Sequence, residues 1–265
     1  MSFPVTKVEF IALKPGGQFA DYLQEREEQP RRFGGTTRYR ARVDHGFIGG
    51  DPGYTAVLID EFPSRENAQQ GDREMQAVRA RHLAHRYAIL VRYNPKIPNR
   101  IKNLHWLSPL LTWWYRTGSE KPLPDLSEYT RPTNSPTNAS VEELRRHDPE
   151  RPVFMMNLNK FFQKAQYDGG KNVSGQEAYS EYSKSILPYL ISVRGYPAIL
   201  GKVVQVLETD SNSPLPDAWD EFIWVAYPSR KHFLRLLTNA PRKGIHHRNA
   251  GLKRAVVFPC TEIEG

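Results

Sequence analysis

Four residues of this chain have side chains suited to acid–base catalysis and lie beside the ends of expected strands: His45, Glu61, His246 and His247. Imidazole groups titrate near neutral pH and can therefore exchange protons under physiological conditions. Glu61 ends an otherwise apolar strand, where loss of water would raise its pKa and suit it to proton transfer. Two ordinary alternatives stay open. His246 and His247 could be surface residues of a basic loop, and Glu61 could pair with an arginine of the adjoining strand.

A second group of residues could orient a small molecule beside these acids and bases. We assign substrate binding to Tyr39, Arg40, Asn157, Asn159, Trp224, Tyr227 and Arg230. Asn157 and Asn159 alternate onto one face of an expected strand. If that face lines a lumen, the buried amides would hold a carbonyl or hydroxyl group of a ligand. A structural hydrogen bond explains the two amides equally well.

The motifs of nucleotide and metal sites do not occur in the sequence. It has no glycine-rich phosphate loop, no Gly-x-Ser-x-Gly and no paired Cys-x-x-Cys. His82 and His85 lie one helical turn apart in an expected helix, but a metal would need further ligands. We therefore predict a site without metal or other cofactor, and keep a haem with an axial histidine as an alternative.

One pattern occurs twice in the chain, at Tyr54–Arg65 and at Trp219–Arg230. Both copies are rich in aromatic and β-branched residues, and both end in an aromatic residue followed by Pro-Ser-Arg. Each copy predicts a buried strand that stops at the proline, with a serine placed to cap the next helix. The repetition indicates one small α+β unit used twice.

The surroundings of each copy predict the element order β-α-β-β-α-β of a ferredoxin-like unit. In the first unit we expect a helix from Ser64 to about His85, and in the second a loop containing His246 and His247. The predicted domains are a first repeat at 1–96, an aromatic and Pro/Ser-rich connector at 97–150 and a second repeat at 151–265. Each four-stranded sheet covers only one face with its own helices, so the two bare faces are expected to meet.

Composition excludes several functional classes. The net charge is +8 and the pI is near 9.5, but the basic residues fall in short clusters interleaved with acids, which disfavours nucleic-acid binding. No window holds the roughly 18 apolar residues of a membrane span. The N-terminus lacks the pattern of a secretory signal, and the single Cys260 cannot form an internal disulfide. We therefore expect a cytoplasmic protein.

The connector begins with an unusual aromatic cluster, from Leu104 to Tyr115, that contains Trp106, Trp113 and Trp114. Packing of this cluster against the barrel is the favoured interpretation. A lid over a ligand pocket comes next, and contact with a membrane interface is the least favoured. As partners we predict a small-molecule substrate, anionic or aromatic, and leave a homo-oligomer open.

Short motifs in both units resemble those of the dimeric α+β barrel superfamily. The first unit carries Glu61-Phe62-Pro63-Ser64 after a strand and before a helix. The second carries Asn157-Leu158, Tyr179, Tyr182, Gly195 and Tyr227-Pro228-Ser229 at matching places. The likeness is to a branch of unknown function with an aromatic-Pro-Ser motif, related to EthD-like and antibiotic-biosynthesis monooxygenase-like proteins. Ala226 replaces the acid of that motif, so the two halves cannot share its role.

This resemblance implies an intramolecular dimeric α+β barrel with the helices outside. The superfamily includes cofactor-free monooxygenases, polyketide cyclases, lactone isomerases, dehydratases, haem enzymes and members without known chemistry, so the fold does not choose a reaction. We predict an enzyme of small-molecule metabolism that uses acid–base chemistry in a barrel pocket, of cyclase, isomerase, dehydratase, decarboxylase or cofactor-free monooxygenase type. A non-catalytic ligand-binding or assembly module is the alternative from another class.

Overall fold

The computed structural model describes residues 4–51, 53–122, 134–209, 215 and 218–263. The first half contains β1 (Val5–Leu13), α1 (Phe19–Arg26), α2 (Gln29–Arg32), β2 (Thr36–Val43), β3 (Ala56–Phe62), α3 (Arg65–Glu74), α4 (Gln76–His82) and β4 (Leu83–Tyr93). The middle segment contains α5 (Lys96–Lys102), a 3-10 turn (His105–Leu107), α6 (Ser108–Tyr115) and α7 (Asn138–Arg146). The second half contains β5 (Val153–Phe161), α8 (Gly175–Ser192), β6 (Tyr196–Thr209), β7 (Glu221–Tyr227), α9 (Arg230–Asn239), α10 (Arg242–Gly251) and β8 (Leu252–Glu262).

The eight strands form one antiparallel sheet that closes into a barrel in the order β1-β3-β2-β8-β5-β7-β6-β4. The first half contributes β4-β1-β3-β2 and the second β8-β5-β7-β6, so equivalent strands hold equivalent places. Two seams join the halves, where β2 pairs with β8 and β4 pairs with β6. The α+β class expected from the sequence is thereby confirmed.

Each seam depends on particular residues. At the β4–β6 seam, a Cβ atom on Gly201 would lie 2.5 Å from Val91 Cγ1 and 2.7 Å from the Arg92 carbonyl oxygen, so glycine allows the strands to approach. Near the β2–β8 seam, the buried guanidinium of Arg230 donates to Asp44 Oδ2 at 2.5 Å and to Thr261 Oγ1 at 2.6 Å. Asp44 belongs to the first half and Arg230 to the second, so this pair holds the halves together.

Alternating side chains from all eight strands fill the described part of the barrel interior. The largest of these buried residues are Phe10, Tyr87, Phe222, Trp224 and Phe258. The expected common interior therefore exists, but side chains pack it as a core. Open spaces large enough for a ligand lie at the barrel rim and outside the sheet.

The outer, helix-covered faces of the two halves differ sharply. In the first half this layer contains a buried network of opposite charges formed by Lys7, Glu9, Arg26, Asp60, Asp72 and Arg86. In the second half the same layer is apolar, with Met155, Ile223, Leu190 and Phe233 packed together. In the second half, this apolar layer borders an open space large enough for a ligand.

Two expected elements differ from the structure. The helix expected from Ser64 to about His85 is two helices, α3 and α4, and ends at His82. Pairing with β1 extends β4 back to Leu83, and these inter-strand hydrogen bonds override the local helical pattern. Ser64 caps α3 as expected, since its hydroxyl accepts from the Asn67 amide at 3.2 Å.

The loop expected around His246 and His247 is also wrong, because both residues lie in α10. This helix lacks a clear apolar period and is stabilised by close contact with α8. A Cβ atom on Gly251 would lie 2.4 Å from the Gly175 carbonyl oxygen, so the two backbones meet at glycines. Contact with α8 therefore stabilises α10, which the helix propensity of its own residues would not do.

The aromatic connector packs on the second half. α5 contacts β6, and α6 lies against α8, where the hydroxyls of Ser108 and Thr112 donate to the Ser192 carbonyl oxygen at 3.1 and 2.8 Å. The Pro/Ser-rich stretch that follows lies largely outside the described residues. Among the described helices, none combines the length and apolar character needed to cross a bilayer.

Candidate functional site

A cavity of about 370 Å³ lies between the outer face of the second half's sheet and helices α8, α9 and α10. On the sheet side, Met155, Asn157, Ile223, Val225 and Tyr227 line it. These residues alternate along β5 and β7 and therefore share one face. On the helix side, Tyr179, Tyr182, Ile186 and Leu190 of α8 recur every three or four residues. The cavity is thus built by two regular apolar patterns that face each other.

A few polar groups interrupt this apolar lining. The Asn157 side-chain amide donates to the Met155 carbonyl oxygen at 2.9 Å, and Arg248 donates to the Asn134 carbonyl oxygen. Burial raises the pKa of Tyr179, Tyr182 and Tyr227. These phenols therefore stay protonated at neutral pH and can donate hydrogen bonds to a ligand.

A larger open groove, of about 1420 Å³, runs across the rim of the barrel from its mouth to the start of α8. Its charged residues are the basic Arg38, Arg92, Lys160, Lys164, Lys202 and Lys253 and the acidic Glu61, Asp220 and Glu221. Leu200 lines both the groove and the apolar cavity, so the two spaces adjoin there. A charged, open groove thus has an apolar cavity as its neighbour.

Glu221 lines the groove, two residues before Ile223, which lines the cavity. It is the first residue of β7, points to the same outer side as Ile223 and stands opposite Asn159 of β5. The Asn159 side-chain amide donates to Glu221 Oε2 at 3.0 Å. Burial raises the pKa of Glu221 to about 7; the hydrogen bond from Asn159 opposes this rise, and the charge of Asp220 adds to it. A carboxyl group with this pKa exchanges protons readily at neutral pH.

Sequence reasoning gave Glu221 no role. The available signal was its alternation with Ile223, Val225 and Tyr227, which puts one carboxyl group on an otherwise apolar face. The register with Asn159, which completes the pair, comes only from the folded sheet.

Glu61, the predicted catalytic acid, lines the same groove on the barrel side. Its Oε1 accepts from the Tyr93 hydroxyl at 2.5 Å, and its Oε2 lies 3.5 Å from Arg38 Nε. The ion pair that the sequence left open is therefore present. Burial, and then the Glu61 carboxylate, raise the pKa of Tyr93.

The three predicted catalytic histidines line neither open space in the described part of the chain. His45 Nε2 lies 3.0 Å from the Ser140 carbonyl oxygen, and its ring stacks on His147. His247 Nδ1 lies 2.7 Å from the Tyr167 hydroxyl, and the His246 ring packs on Tyr167. The structure therefore does not bring Glu61 and the histidines into one cluster.

The predicted substrate-binding residues lie in three environments. Tyr39 and Trp224 are inside the barrel, in contact with the ring of Phe154 at centroid distances of 5.3 and 5.0 Å. Arg40 is half-buried in β2, and Arg230 is held by Asp44 and Thr261 at the seam. Asn157, Asn159 and Tyr227 lie on the outer, helix-covered face.

For the two asparagines the sequence left two interpretations open, a face that lines a lumen and a structural hydrogen bond. The strand period places them on the other side of the sheet, because Met156 and Leu158 take the inward positions. Asn157 and Tyr227 line the apolar cavity, and Asn159 holds Glu221.

No group of His, Cys, Asp and Glu side chains in the described residues is arranged to hold a metal ion. A haem with an axial histidine does not fit the open spaces either. The described lining of the cavity and the groove contains no histidine, and burial keeps the cavity phenols protonated.

Comparison with known proteins finds no matching family model and no matching curated protein. Among solved structures, the chain is similar to RPA0582, a protein of unknown function from Rhodopseudomonas palustris, with 23% identity over 50% of this chain and 98% of that chain and a TM-score of 0.43. A methylated form of RPA0582 gives 24% identity over 49% of this chain and 95% of that chain, with a TM-score of 0.44. The chain is also similar to a mutant chlorite dismutase from Candidatus Nitrospira defluvii, with 10% identity over 98% of this chain and 92% of that chain and a TM-score of 0.49. Nothing about a ligand or a reaction follows from these likenesses.

Proposed function

We propose that this chain is a small-molecule enzyme that transfers protons with Glu221 as its general acid and base. The observation that carries the proposal is a partly buried carboxyl group whose pKa is raised to about 7, on the wall of the charged groove and two residues along β7 from Ile223 of the apolar cavity. Proton transfer is most efficient when the catalytic pKa lies near the working pH. Strongly shifted carboxyl groups in clefts are also characteristic of functional sites.

The two open spaces define the class of substrate. The cavity would hold an apolar or aromatic body, and the groove, with six basic and three acidic residues, would hold an anionic group. An apolar carboxylate fits both. Its acidic C–H or O–H bond would then lie beside Glu221.

The Asn159 hydrogen bond occupies Glu221 Oε2 and leaves Oε1 for the substrate. In an isomerisation, Glu221 takes a proton from one atom of the substrate and returns it to another, so no other reactant is consumed. The protonated phenol of Tyr179 lies close enough to Glu221 for the carboxylate charge to raise its pKa further. It would stabilise negative charge that develops on a substrate oxygen. Dehydration with release of water, decarboxylation with release of carbon dioxide, and aldol-type cyclisation each include such a proton transfer and are variants of the same proposal.

We also propose an architecture for the chain. We interpret 1–96 and 151–265 as two ferredoxin-like repeats joined by the connector at 97–150, together forming a dimeric α+β barrel within one chain. The equivalent strand orders of the two halves and the closed sheet support this interpretation. A cytoplasmic location and a homo-oligomer stay predictions.

Hydrogen exchange tests the function without knowledge of the product. A panel of aliphatic and aromatic carboxylates would be incubated with the protein in heavy water, and deuterium uptake at carbon followed by mass spectrometry. We expect enzyme-dependent uptake for at least one compound. Glu221→Gln should bind that compound, as measured by a thermal shift, but should not exchange it.

The matched control is Glu150→Gln, which removes an exposed carboxyl group at the end of the connector, just before β5. It should exchange as the original chain does. Exchange by Glu221→Gln at the original rate would overturn the assignment. Binding without exchange by the original chain would instead support the non-catalytic ligand-binding module, which the apolar cavity also suits.

A further inference from the structure

The connector, which packs on the second half, carries an exposed apolar surface. It consists of Trp106, Leu110, Trp113 and Trp114, whose exposed fractions are 74, 57, 72 and 68%. We call it the tryptophan surface. Side chains of this size rarely remain in water as a group, and such a patch on a folded domain marks a site of contact.

The orientation of this surface is fixed by the opposite side of α6. Ser108 and Thr112 donate to the Ser192 carbonyl oxygen of α8, and the Thr117 hydroxyl donates to Ser192 Oγ at 2.7 Å. These contacts use the polar face of the helix. The indole rings are therefore held outwards and do not reach the barrel core.

The chain segment that carries the tryptophan surface has charges of one sign. Between the end of β4 and Glu120 the sequence holds no acidic residue and four basic ones: Lys96, Arg100, Lys102 and Arg116. Lys96, Arg100 and Arg116 are exposed on the elements that carry the indoles or directly beside them. An occupant of this surface must therefore combine an apolar layer with negative charge.

We propose that the tryptophan surface docks on an anionic lipid bilayer. Indole rings favour the boundary between headgroups and acyl chains, because one end is apolar and the other donates a hydrogen bond. Basic residues beside them are attracted to anionic headgroups. α6 has eight residues and is about 12 Å long. It would therefore lie in the interface of a hydrocarbon core about 30 Å thick.

The same charges disfavour a second copy of this chain as the occupant. A two-fold dimer brings the same patch of both subunits together. Lys96, Arg100 and Arg116 of both subunits would then lie in or beside one interface, with no acid of this segment to neutralise them. Anionic lipid relieves this repulsion.

Vesicle co-sedimentation tests the proposal. The full chain would be mixed with vesicles of phosphatidylcholine alone, and with vesicles of equal parts phosphatidylcholine and phosphatidylglycerol. We expect binding to the mixed vesicles that weakens as salt is added. Trp113→Ser/Trp114→Ser should bind at least tenfold more weakly. Its unchanged circular dichroism would show that the exposed rings are not needed for folding.

A charge variant separates lipid docking from general stickiness. Each basic residue near an anionic membrane contributes about a factor of five in affinity, so Lys96→Gln/Arg100→Gln should weaken binding about twenty-fivefold. The matched control, Arg73→Gln/Arg81→Gln, removes two exposed charges near the opposite, Leu83 end of β4 and should bind as the original chain does. Equal losses in the two variants would overturn the proposal. So would the absence of vesicle binding, or self-association in sedimentation velocity that Trp113→Ser/Trp114→Ser abolishes.

Discussion

The side-chain amide of Asn159 donates to Glu221 Oε2 at 3.0 Å, directly across the β5–β7 pair. This bond leaves one carboxyl oxygen free, and burial raises the pKa of Glu221 to about 7. Glu221 lines the charged groove, and its neighbour on the same strand face, Ile223, lines the apolar cavity. The charge state of Glu221 can therefore be examined through stability before any substrate is known.

The free energy of unfolding should depend on pH through the ionisation of Glu221. Its folded pKa is about 7 and its ordinary value is 4.5, so the folded state binds more protons than the unfolded state between these values. Stability therefore falls as pH rises from 4.5 through 7. This interval corresponds to about 3 kcal/mol, at 1.36 kcal/mol per pH unit.

Glu221→Gln should remove the fall in unfolding free energy between pH 4.5 and 7. We expect the variant to be more stable than the original chain by up to about 3 kcal/mol well above pH 7, and equally stable near pH 4.5. Urea unfolding at the two pH values measures the difference. Glu150→Gln should show no such pH dependence, and a Glu221→Gln difference that did not change with pH would contradict the prediction.

Glu9 should be essential for the fold. Burial alone would raise its pKa, but the charges of Arg86, Lys7 and Arg26 outweigh burial and hold the pKa well below its ordinary value. Glu9→Gln leaves these three buried cations with only Asp60 and Asp72 as counter-charges and should cost roughly 3–5 kcal/mol of unfolding free energy. Denaturant unfolding at neutral pH measures the loss.

The effect should depend on pH with the sign opposite to that of Glu221. A lowered pKa stabilises the folded state above pH 4.5, and this contribution is lost as pH falls through the folded pKa. The cost of Glu9→Gln should therefore shrink in acid. Glu181→Gln, which breaks an exposed pair with Lys184, should leave stability nearly unchanged. Similar behaviour of the two variants would show that the buried network is not needed.

Gly201→Ala should weaken the seam between the halves. The added Cβ atom would lie 2.5 Å from Val91 Cγ1 and 2.7 Å from the Arg92 carbonyl oxygen, so β4 and β6 must move apart. We expect a loss of about 1–3 kcal/mol, the usual cost of overpacking. Thermal unfolding measures it. Gly169→Ala is the matched control because no heavy atom lies within 4 Å of its new Cβ atom, and equal behaviour of the two would rule out a tight seam.

Val225→Phe should close the apolar cavity while the fold is kept. Val225 lines this space, and a phenyl ring would occupy part of its roughly 370 Å³. An anilinonaphthalene sulfonate dye, with an aromatic body and an anionic group, is a suitable probe. We expect at least a tenfold loss of dye affinity in a titration. Val204→Phe makes the same change at an exposed position of β6 and should bind the dye normally. Unchanged affinity in Val225→Phe would place the dye elsewhere.

Local patterns in the sequence were sufficient for much of the fold. The repeated strand before aromatic-Pro-Ser-Arg became β3 and β7, and Ser64 caps α3. These features depend on residues close in the chain. α10 and the start of β4 were missed because contact with α8 and pairing with β1, both distant in sequence, decide them.

Only part of the candidate site could be predicted from the sequence. Glu61 was recognised as an acid at a strand end, and its pair with Arg38 was among the alternatives. Asn157, Asn159 and Tyr227 were selected, but on the wrong side of the sheet for the two asparagines. A shift of one residue in strand phase turns every side chain to the other face. Glu221 was missed because its importance comes from its partners and its burial.

By itself, the amino-acid sequence determined that this protein is an α+β chain, since hydrophobic period, turn residues and caps act over a few neighbouring positions. Only the tertiary structure decided that the barrel interior is a packed core, that the first half buries charge where the second leaves an apolar cavity, and that Glu221 lies beside Asn159. The physical reason is that burial and pairing between distant strands set both the free space and the pKa of a carboxyl group, and neither is a property of a local stretch of chain.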